Sequence, residues 1–370
     1  MASSFKSLTN NDVTSTRTLL HEAIPMTGAL VSGTYNDHNI KDFSHGMFQS
    51  VYDYPYLSSS ANHLFDITFG HSSVVQNSSF SQNTKKSNIY NQMAQVLVGH
   101  DVTGGIRKFD QDGNFSTGGA ASVNRKFHQA FFFSFSRLLT KDEIKKGSFT
   151  MSFITGSEVG EIGISKSDVA GVLSISDHGA QNSYFVNSPA GEYGLLLTGA
   201  NAHPETALGH VYYQAGVAVV TASVFGHKRV VGSQADSPGP GPASASFGIT
   251  DVGHSSSFVY RYVTGSTIQN IANSVRRRVS NIQFNNTTEL NSTIYYCRAH
   301  HNEYNYSSNP SYISDSKLVV KNISTDTPVS YITTIGLYSA DNELLAVAKL
   351  SEPLKKDPTT EFTLRVRLDY

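Results

Sequence analysis

Cysteine occurs once, at Cys297, and tryptophan does not occur at all. A single cysteine closes no internal disulfide, so the chain has to hold its shape without covalent staples. Charge of either sign is scarce: 28 Lys and Arg stand against 29 Asp and Glu, and charged residues make up only 15% of the 370. That balance lacks the basic excess of a nucleic-acid binder, and no nucleic-acid partner is expected. No apolar run approaches the roughly 18 residues of a membrane span, so no membrane partner is expected either. MASSFKSLTNNDVTSTRTLL is polar and lacks the apolar stretch of a signal peptide. Triplets such as Asn77-Ser78-Ser79 and Asn291-Ser292-Thr293 are then by-products of Asn, Ser and Thr abundance rather than glycan sites.

The chain is instead rich in 29 Gly, 19 Tyr and 21 Phe, with many Ser, Thr and Asn. This mix favours strands and polar loops over helices. The expected fold class is mainly β: antiparallel sheets or a sandwich with a few short helices. Four regions follow from the text. Residues 1–20 form an extended N-terminal arm that orders only against a neighbour. Residues 21–155 form an α+β region, and 156–290 a β-rich middle region or insertion. Residues 291–370 form a C-terminal antiparallel module.

Between 21 and 70 the text is aromatic and irregular, which predicts buried tyrosines in loop-rich structure. KKSNIYNQMAQVLVG (Lys85–Gly99) has the best helical period, with Ile89, Met93, Val96 and Leu97 on one face. Ser87 or Asn88 is placed to cap its start and Gly99 to end it. In FFFSF, Phe131, Phe133 and Phe135 alternate against Phe132, so both faces of that strand are expected to pack. Thr140-Lys141-Asp142-Glu143 reads as a capping box opening a short helical turn that joins this strand to a neighbour, SFTMSFI. EIGIS, GVLSIS and GEYGLLLTG read as short β-like runs, VYYQAGVAVVTASVF as a long one, and SPGPGPAS (237–244) as an exposed loop. STIQNIANSVRRRVSNIQF mixes helix and strand signals. At the end, KLVVKNIS, SYITTIGLYS, LLAVAKLS and EFTLRVRLDY predict a four-stranded antiparallel sheet with one wet face and a tight turn at Asp341-Asn342. The final strand alternates Phe362, Leu364, Val366 and Leu368 with Thr363, Arg365, Arg367 and Asp369.

One stretch draws attention as chemistry. CRAHHNEYNYSSNP places Cys297, His300, His301 and Glu303 within seven positions. Zinc sites usually take their ligands as C-x₂₋₄-C or H-x₃₋₅-H pairs, and the spacing here is C-x₂-H-H-x-E with no second cysteine. On an extended chain His300 and His301 point oppositely, which spoils a shared site. No nucleophile signature surrounds Cys297, and packing is the expected role of its thiol. Ser307–Asn309 are expected to turn ahead of Pro310 into the last module. His71, His100, His178, His203, His210, His227 and His254 read as ordinary hydrogen-bonding histidines. Asp110–Asn114 has a faint calcium-loop pattern but Gly119 where a bidentate Glu is needed. Arg276-Arg277-Arg278 reads as a solvated or interface face. No phosphate loop, G-x-S-x-G elbow or paired-carboxylate motif occurs. The expectation is no catalytic residue, no cofactor-binding residue, no metal ligand and no cofactor.

Several long stretches nevertheless carry a resemblance. KKSNIYNQMAQVLVG, FFFSFSRLLTKDEIKKGSF, NEYNYSSNPSY, PVSYITTIGLYSADNELLAVAKLSEPLKK and LRVRLDY together resemble virion structural proteins of T4-like contractile-tailed bacteriophages, of the type infecting cyanobacteria. The last two also resemble a small β-module of phage tail-associated proteins. The resemblance implies a myovirus virion component, assembled in the host cytoplasm, in the tail, baseplate or neck. It implies other virion proteins as partners and a homo-oligomer or symmetric ring in the particle. The alternative is a fibre-attachment or host receptor-binding protein, with Tyr304 and Tyr306 as ligand contacts. The resemblance implies no activity and no ligand residues.

Overall fold

The computed structural model describes residues 5–25, 37–73, 82–115, 126–155, 171–199, 207–225, 267–276, 278–306, 313–314, 317–318 and 327–370. The chain divides into two units, one of residues 20–288 and the other of residues 1–19 with 289–370. Boundaries fall inside two strands, β1 (Val13–Pro25) and β13 (Val279–Ala299). The fold is mainly β with antiparallel sheets and few short helices, as composition indicates.

The larger unit is built on an eight-stranded antiparallel sheet. Its strands are β2 (Ile40–Asp42), β3 (Gln49–Tyr52), β4 (His63–His71), β5 (Gln129–Phe135), β9 (Phe185–Ser188), β10 (Gly191–Leu196), β11 (Gly209–Tyr212) and β12 (Val217–Thr221). In space the order is β2-β3-β4-β5-β12-β11-β10-β9. Alternation along β5 explains why this sheet packs on both sides. Phe131, Phe133 and Phe135 enter a core with Phe65, Ile67 and Phe69 of β4 and with Phe149, Met151, Phe153 and Phe284. Ala130 and Phe132 enter a second core with Tyr90, Ala94, Leu97, Tyr193 and Tyr212. Each fully buried aromatic contributes roughly 1.5–3 kcal/mol of transfer free energy.

The first core is closed by a second set of strands. β7 (Thr150–Thr155) pairs with β8 (Gly171–Ser176) and with the first part of β13, matching Met151 to Ile282. β6 (Glu143–Ile144) also pairs with β13. The expected strand-turn-strand neighbourhood of FFFSF and SFTMSFI is therefore corrected. β5 and β7 lie in different sheets and face each other, with the Phe133 and Phe153 rings 6.5 Å apart. The capping box is corrected too. A helical turn ends at Thr140 instead of starting there: α2 spans Arg137–Thr140, and Lys141 has φ of 54°. Asp142 and Ile144 then donate their N–H groups to Thr287 and Tyr213, so strand pairing captures the residues a helix would have used.

The second core is closed by α1 (Asn83–Leu97). It begins two residues before the expected Lys85, so Ser87 and Asn88 lie inside the helix rather than at its cap. Ile89, Tyr90, Ala94 and Leu97 are buried, while Val96 is 63% exposed and drops out of the expected face. Gly99 ends the helix as expected, at φ of 84°, with its N–H on Ala94 O. The helix lies very close to β4 at Gly70. A Cβ there would sit 2.7 Å from Tyr90 N and 2.9 Å from Lys86 O, so only glycine fits.

STIQNIANSVRRRVSNIQF resolves into helix then strand: α3 (Ile268–Arg276) leads into β13. VYYQAGVAVVTASVF is a hairpin, β11–β12, rather than one long strand. Tyr54 and Tyr56 are exposed, not buried as expected. The 156–290 stretch is no separate body among the described residues, because β12 pairs with β5 along its length. EIGIS and SPGPGPAS lie outside the described residues.

In the smaller unit, residues 289–299 of β13 pair with β18 (Phe362–Asp369) from Ser292↔Asp369 to Ala299↔Phe362. β1 lies on the other side of β13. Ser15 Oγ is 3.3 Å from Thr293 Oγ1, Arg17 pairs with Glu289, and Arg298 Nε reaches Asp12 at 2.9 Å. The N-terminal segment is thus a paired strand, not an arm awaiting a neighbour. Its side chains are almost all exposed, so it adds hydrogen bonds without adding core. β16 (Ser330–Tyr338) and β17 (Leu344–Lys356) form a separate two-stranded hairpin, turned at Asn342 with φ of 64°. β14 (Ile313–Ser314) and β15 (Lys317–Leu318) form another short pair.

This corrects the expected four-stranded C-terminal sheet. The alternation of β18 is as read, with Val366 buried and Arg365 and Arg367 exposed. Its partner is β13, whose Tyr295, Cys297 and Ala299 stand opposite Val366, Leu364 and Phe362. Residues opposite one another in an antiparallel pair share a face, so the two apolar rows meet. Residues 319–324 of KLVVKNIS lie outside the described residues.

Candidate functional site

The Cys297–Glu303 cluster is split among separate partners. Cys297 is half-buried in β13, and burial pushes its thiol above the ordinary value, with the Asp12 carboxylate adding to the effect. A raised thiol is a poor nucleophile at neutral pH. After Ala299 the chain leaves the strand and turns, with Glu303 N–H donating to His300 O at 3.0 Å. Glu303 Oε2 accepts from His300 N–H at 3.1 Å and from Lys6 Nζ at 2.5 Å. These donors hold its carboxyl below the usual range. His301 Nδ1 lies 3.2 Å from Glu361 Oε1 on the surface. Among the described residues no group of three His, Cys, Asp or Glu side chains is arranged to hold a metal ion.

The turn at 300–306 is anchored from below by a residue the sequence reading missed. Lys356, at the base of β17, is fully buried. Its Nζ donates to Asn305 Oδ1 at 2.8 Å, to Asp357 O at 2.9 Å and to His301 O at 3.2 Å. Ser330 Oγ donates to Tyr304 O. A lysine satisfied by three oxygens is a clamp for the turn. The only signal in sequence is the doubled Lys355-Lys356 at the end of an alternating strand, where the inward residue has to find acceptors. The turn thereby presents Tyr304 and Tyr306, 45% and 54% exposed. The expected turn at Ser307–Asn309 and Pro310 lies outside the described residues.

Other candidates resolve into packing. His210 is buried on β11 within a ring of Phe109, Phe127, Tyr193 and Tyr212, with centroids 5.3–6.3 Å away. Burial lowers its pKa to about 4, so it is neutral at neutral pH. His71 is buried with Nδ1 3.0 Å from Ser72 O. His100 and His178 are exposed, and His203, His227 and His254 lie outside the described residues. Asp110 is a turn residue: Lys126 Nζ is 2.9 Å from its Oδ2 and Gly113 N–H 2.9 Å from its Oδ1. Arg276 and Arg278 are buried, which corrects the solvated reading of the Arg run, and Arg276 Nε donates to Asn273 Oδ1 at 2.9 Å. Arg277 lies outside the described residues.

What the smaller unit does present is apolar surface. Its buried apolar side chains among the described residues are Ile294, Ala299, Val329 and Val366. Tyr331, Tyr338, Leu344, Leu345 and Val347 of the hairpin are all exposed. The run LLAV was legible as strand, but its exposure was not, because that depends on how many strands stack beside it.

Fold and surface together define a mainly-β chain with a well-packed larger unit and a smaller unit rich in exposed apolar side chains. No family model, no curated protein and no solved structure matches it.

Proposed function

We propose that this chain is a non-enzymatic structural component of a contractile-tailed phage virion, placed in the tail, baseplate or neck and acting by protein–protein assembly. The observation that carries the reading is the apolar balance of the smaller unit. Few of its apolar side chains are buried, and the hairpin holds five large ones in solvent. Large apolar side chains gathered in solvent on one hairpin mark an interaction site. The resemblance of the same residues, 300–370, to phage virion proteins supplies the setting. Its partners are other virion proteins and further copies of itself.

A second reading has its own observation. Tyr304 and Tyr306 stand exposed on a turn that Lys356 holds rigid. Rigid aromatics on a clamped turn suit recognition at low entropic cost, which fits a fibre-attachment or host receptor-binding role. Locating the chain in intact particles by cryo-electron microscopy tests both. Burial of the hairpin against tail-tube, wedge or neck proteins supports the first reading. A distal position, with binding to host cells lost in Tyr304→Ala/Tyr306→Ala, supports the second. Absence from purified particles overturns both.

A further inference from the structure

We propose that the chain cuts its own backbone between Asp357 and Pro358, with the Asp357 carboxyl as nucleophile and with Lys356 and Thr360 as the donors that stabilise the reacting carbonyl. This is the only Asp–Pro pair in the sequence. It lies in the turn between β17 and β18. The Asp357 carbonyl oxygen, which belongs to the bond to be cut, accepts three hydrogen bonds. Lys356 Nζ stands 2.9 Å away, Thr360 Oγ1 3.0 Å and Thr360 N 3.1 Å. An ordinary β-turn satisfies that oxygen with one N–H from three residues on. Here a buried ammonium is aimed at it as well. Donors fixed at a carbonyl oxygen act where negative charge gathers once the carbon is attacked.

The nucleophile is held in the same turn. Asp357 Oδ1 accepts from Thr359 N–H at 2.9 Å and from Thr359 Oγ1 at 2.6 Å. Oδ2 lies 3.6 Å from Lys355 Nζ. The side chain is thus tied back to its own backbone, where an intramolecular attack has the advantage of proximity. Proline decides the route. Without an N–H, the Pro358 nitrogen cannot attack the side chain to close an imide. What is left is attack by the carboxyl on the backbone.

A carboxyl oxygen of Asp357 bonds to the carbonyl carbon of its own residue, the carboxyl proton passes to the prolyl nitrogen, and the carbon–nitrogen bond breaks. The products are a cyclic anhydride at Asp357 and a secondary amine at Pro358. Water opens the anhydride to two carboxyls, so the net change is hydrolysis of one peptide bond. Thr359 is exposed, which puts the turn in reach of water. The reacting form is the acid. The Thr359 contacts, with Lys355 adding to them, hold this carboxyl below its usual range, so cutting is expected to quicken only as the medium becomes acid. Eight residue pairs join β18 to β13, so the two pieces stay together after the cut until the chain is unfolded.

This inference stands apart from the virion reading, because the purified full-length chain tests it. The chain is incubated at the lowest pH at which circular dichroism still shows native structure, then unfolded and weighed by mass spectrometry. Two fragments are expected, one ending at Asp357 and one starting at Pro358, with masses that sum to the parent plus one water. Cutting is expected to be at least about tenfold faster than in urea at the same pH. Asp357→Asn, which keeps the turn but carries no carboxyl, is expected to stay whole. Lys356→Met and Thr360→Val are each expected to slow the cut, and Thr360→Ser, which keeps the hydroxyl, to preserve it. If Lys356→Met unfolds the turn, the two Thr360 variants carry the comparison. A folded chain that stays whole, or is cut no faster than in urea, overturns the proposal, because the bond then has only the acid lability of any Asp–Pro pair. Equal rates in Thr360→Val, Lys356→Met and the parent overturn it equally.

Discussion

Phe131, Phe132 and Phe133 of the larger unit are each fully buried, while Leu344, Leu345 and Val347 of the smaller unit all face solvent. Both are apolar strand runs of similar look in sequence. The first sits in the fourth strand of an eight-stranded sheet with a packed layer on either side. The second sits in a two-stranded ribbon. The comparison teaches that burial of a strand is decided by its neighbours as much as by its own residues. In the larger unit those neighbours come from the same chain, and the exposed run of the smaller unit is where neighbours from elsewhere have most to gain.

The sharpest way to break the comparison is to delete side chains from each run. Phe133→Ala is expected to cost about 3–5 kcal/mol, since Phe133 packs against Phe65 at 5.8 Å and Phe153 at 6.5 Å. Urea unfolding reads it, and a loss as small as that of a surface substitution would show that the first core is loosely packed.

Next in size is a pH effect confined to the larger unit. Burial raises Asp177 to about 6, against the pull of Gly147 N–H, Phe149 N–H and the Tyr213 hydroxyl. Between pH 4 and 6 the folded state holds a proton the unfolded state has released, so this group lowers stability as pH rises. His210 acts in the opposite sense. Its pKa is lowered to about 4, so the unfolded state binds its proton first and stability falls as pH drops from 6.5 towards 4. His71 and His128 are lowered by burial as well and act with it. Asp177→Asn removes the opposing contribution. The variant is expected to become steeply acid-labile, by about 3 kcal/mol over that window from His210 alone. Parallel stability–pH profiles for the variant and the parent protein would refute this.

In the smaller unit the expected effects are local. Lys356→Met leaves His301 O and Asn305 Oδ1 without their donor, at about 1–3 kcal/mol. Faster hydrogen exchange at residues 300–306, with the larger unit's exchange unchanged, is the expected readout. Smallest of all, Leu345→Ala is expected to change stability by less than about 0.5 kcal/mol, since the side chain is 67% exposed. A large cost there would mean that the hairpin is buried in the isolated protein.

Much of the larger unit was legible because local pattern and tertiary role agree. Phe131, Phe132 and Phe133 alternate in sequence and divide between two cores in space. Gly99 ends its helix by backbone chemistry alone. The misses share a cause in pairing between distant residues. Thr140–Glu143 has the letters of a helix start, but Thr287 and Tyr213 capture its backbone. β18 was read correctly as a half-buried strand, yet its partner β13 lies about seventy positions earlier and not in the adjacent runs. At the candidate site, alternation along an extended chain was expected to part His300 from His301, but β13 ends at Ala299 and both residues belong to the turn that follows. The Lys356 clamp left only the Lys355-Lys356 doublet as a trace, because two of its three acceptors, His301 O and Asn305 Oδ1, are set by a distant turn rather than by a motif. Arg276 and Arg278 looked like a wet face because charge alone does not reveal buried hydrogen-bond partners.

The contact between Ser15 and Thr293 spans 278 positions. During synthesis β1 is made before its partner and waits, unpaired, until β13 has emerged. Closing so long a loop comes late, after the locally wired strands have settled. The N-terminal strand therefore times its own completion: a chain interrupted before β13 cannot seat it. The β13–β1 pairing reports that synthesis has passed β13, and the smaller unit, which also needs β18, takes shape after that.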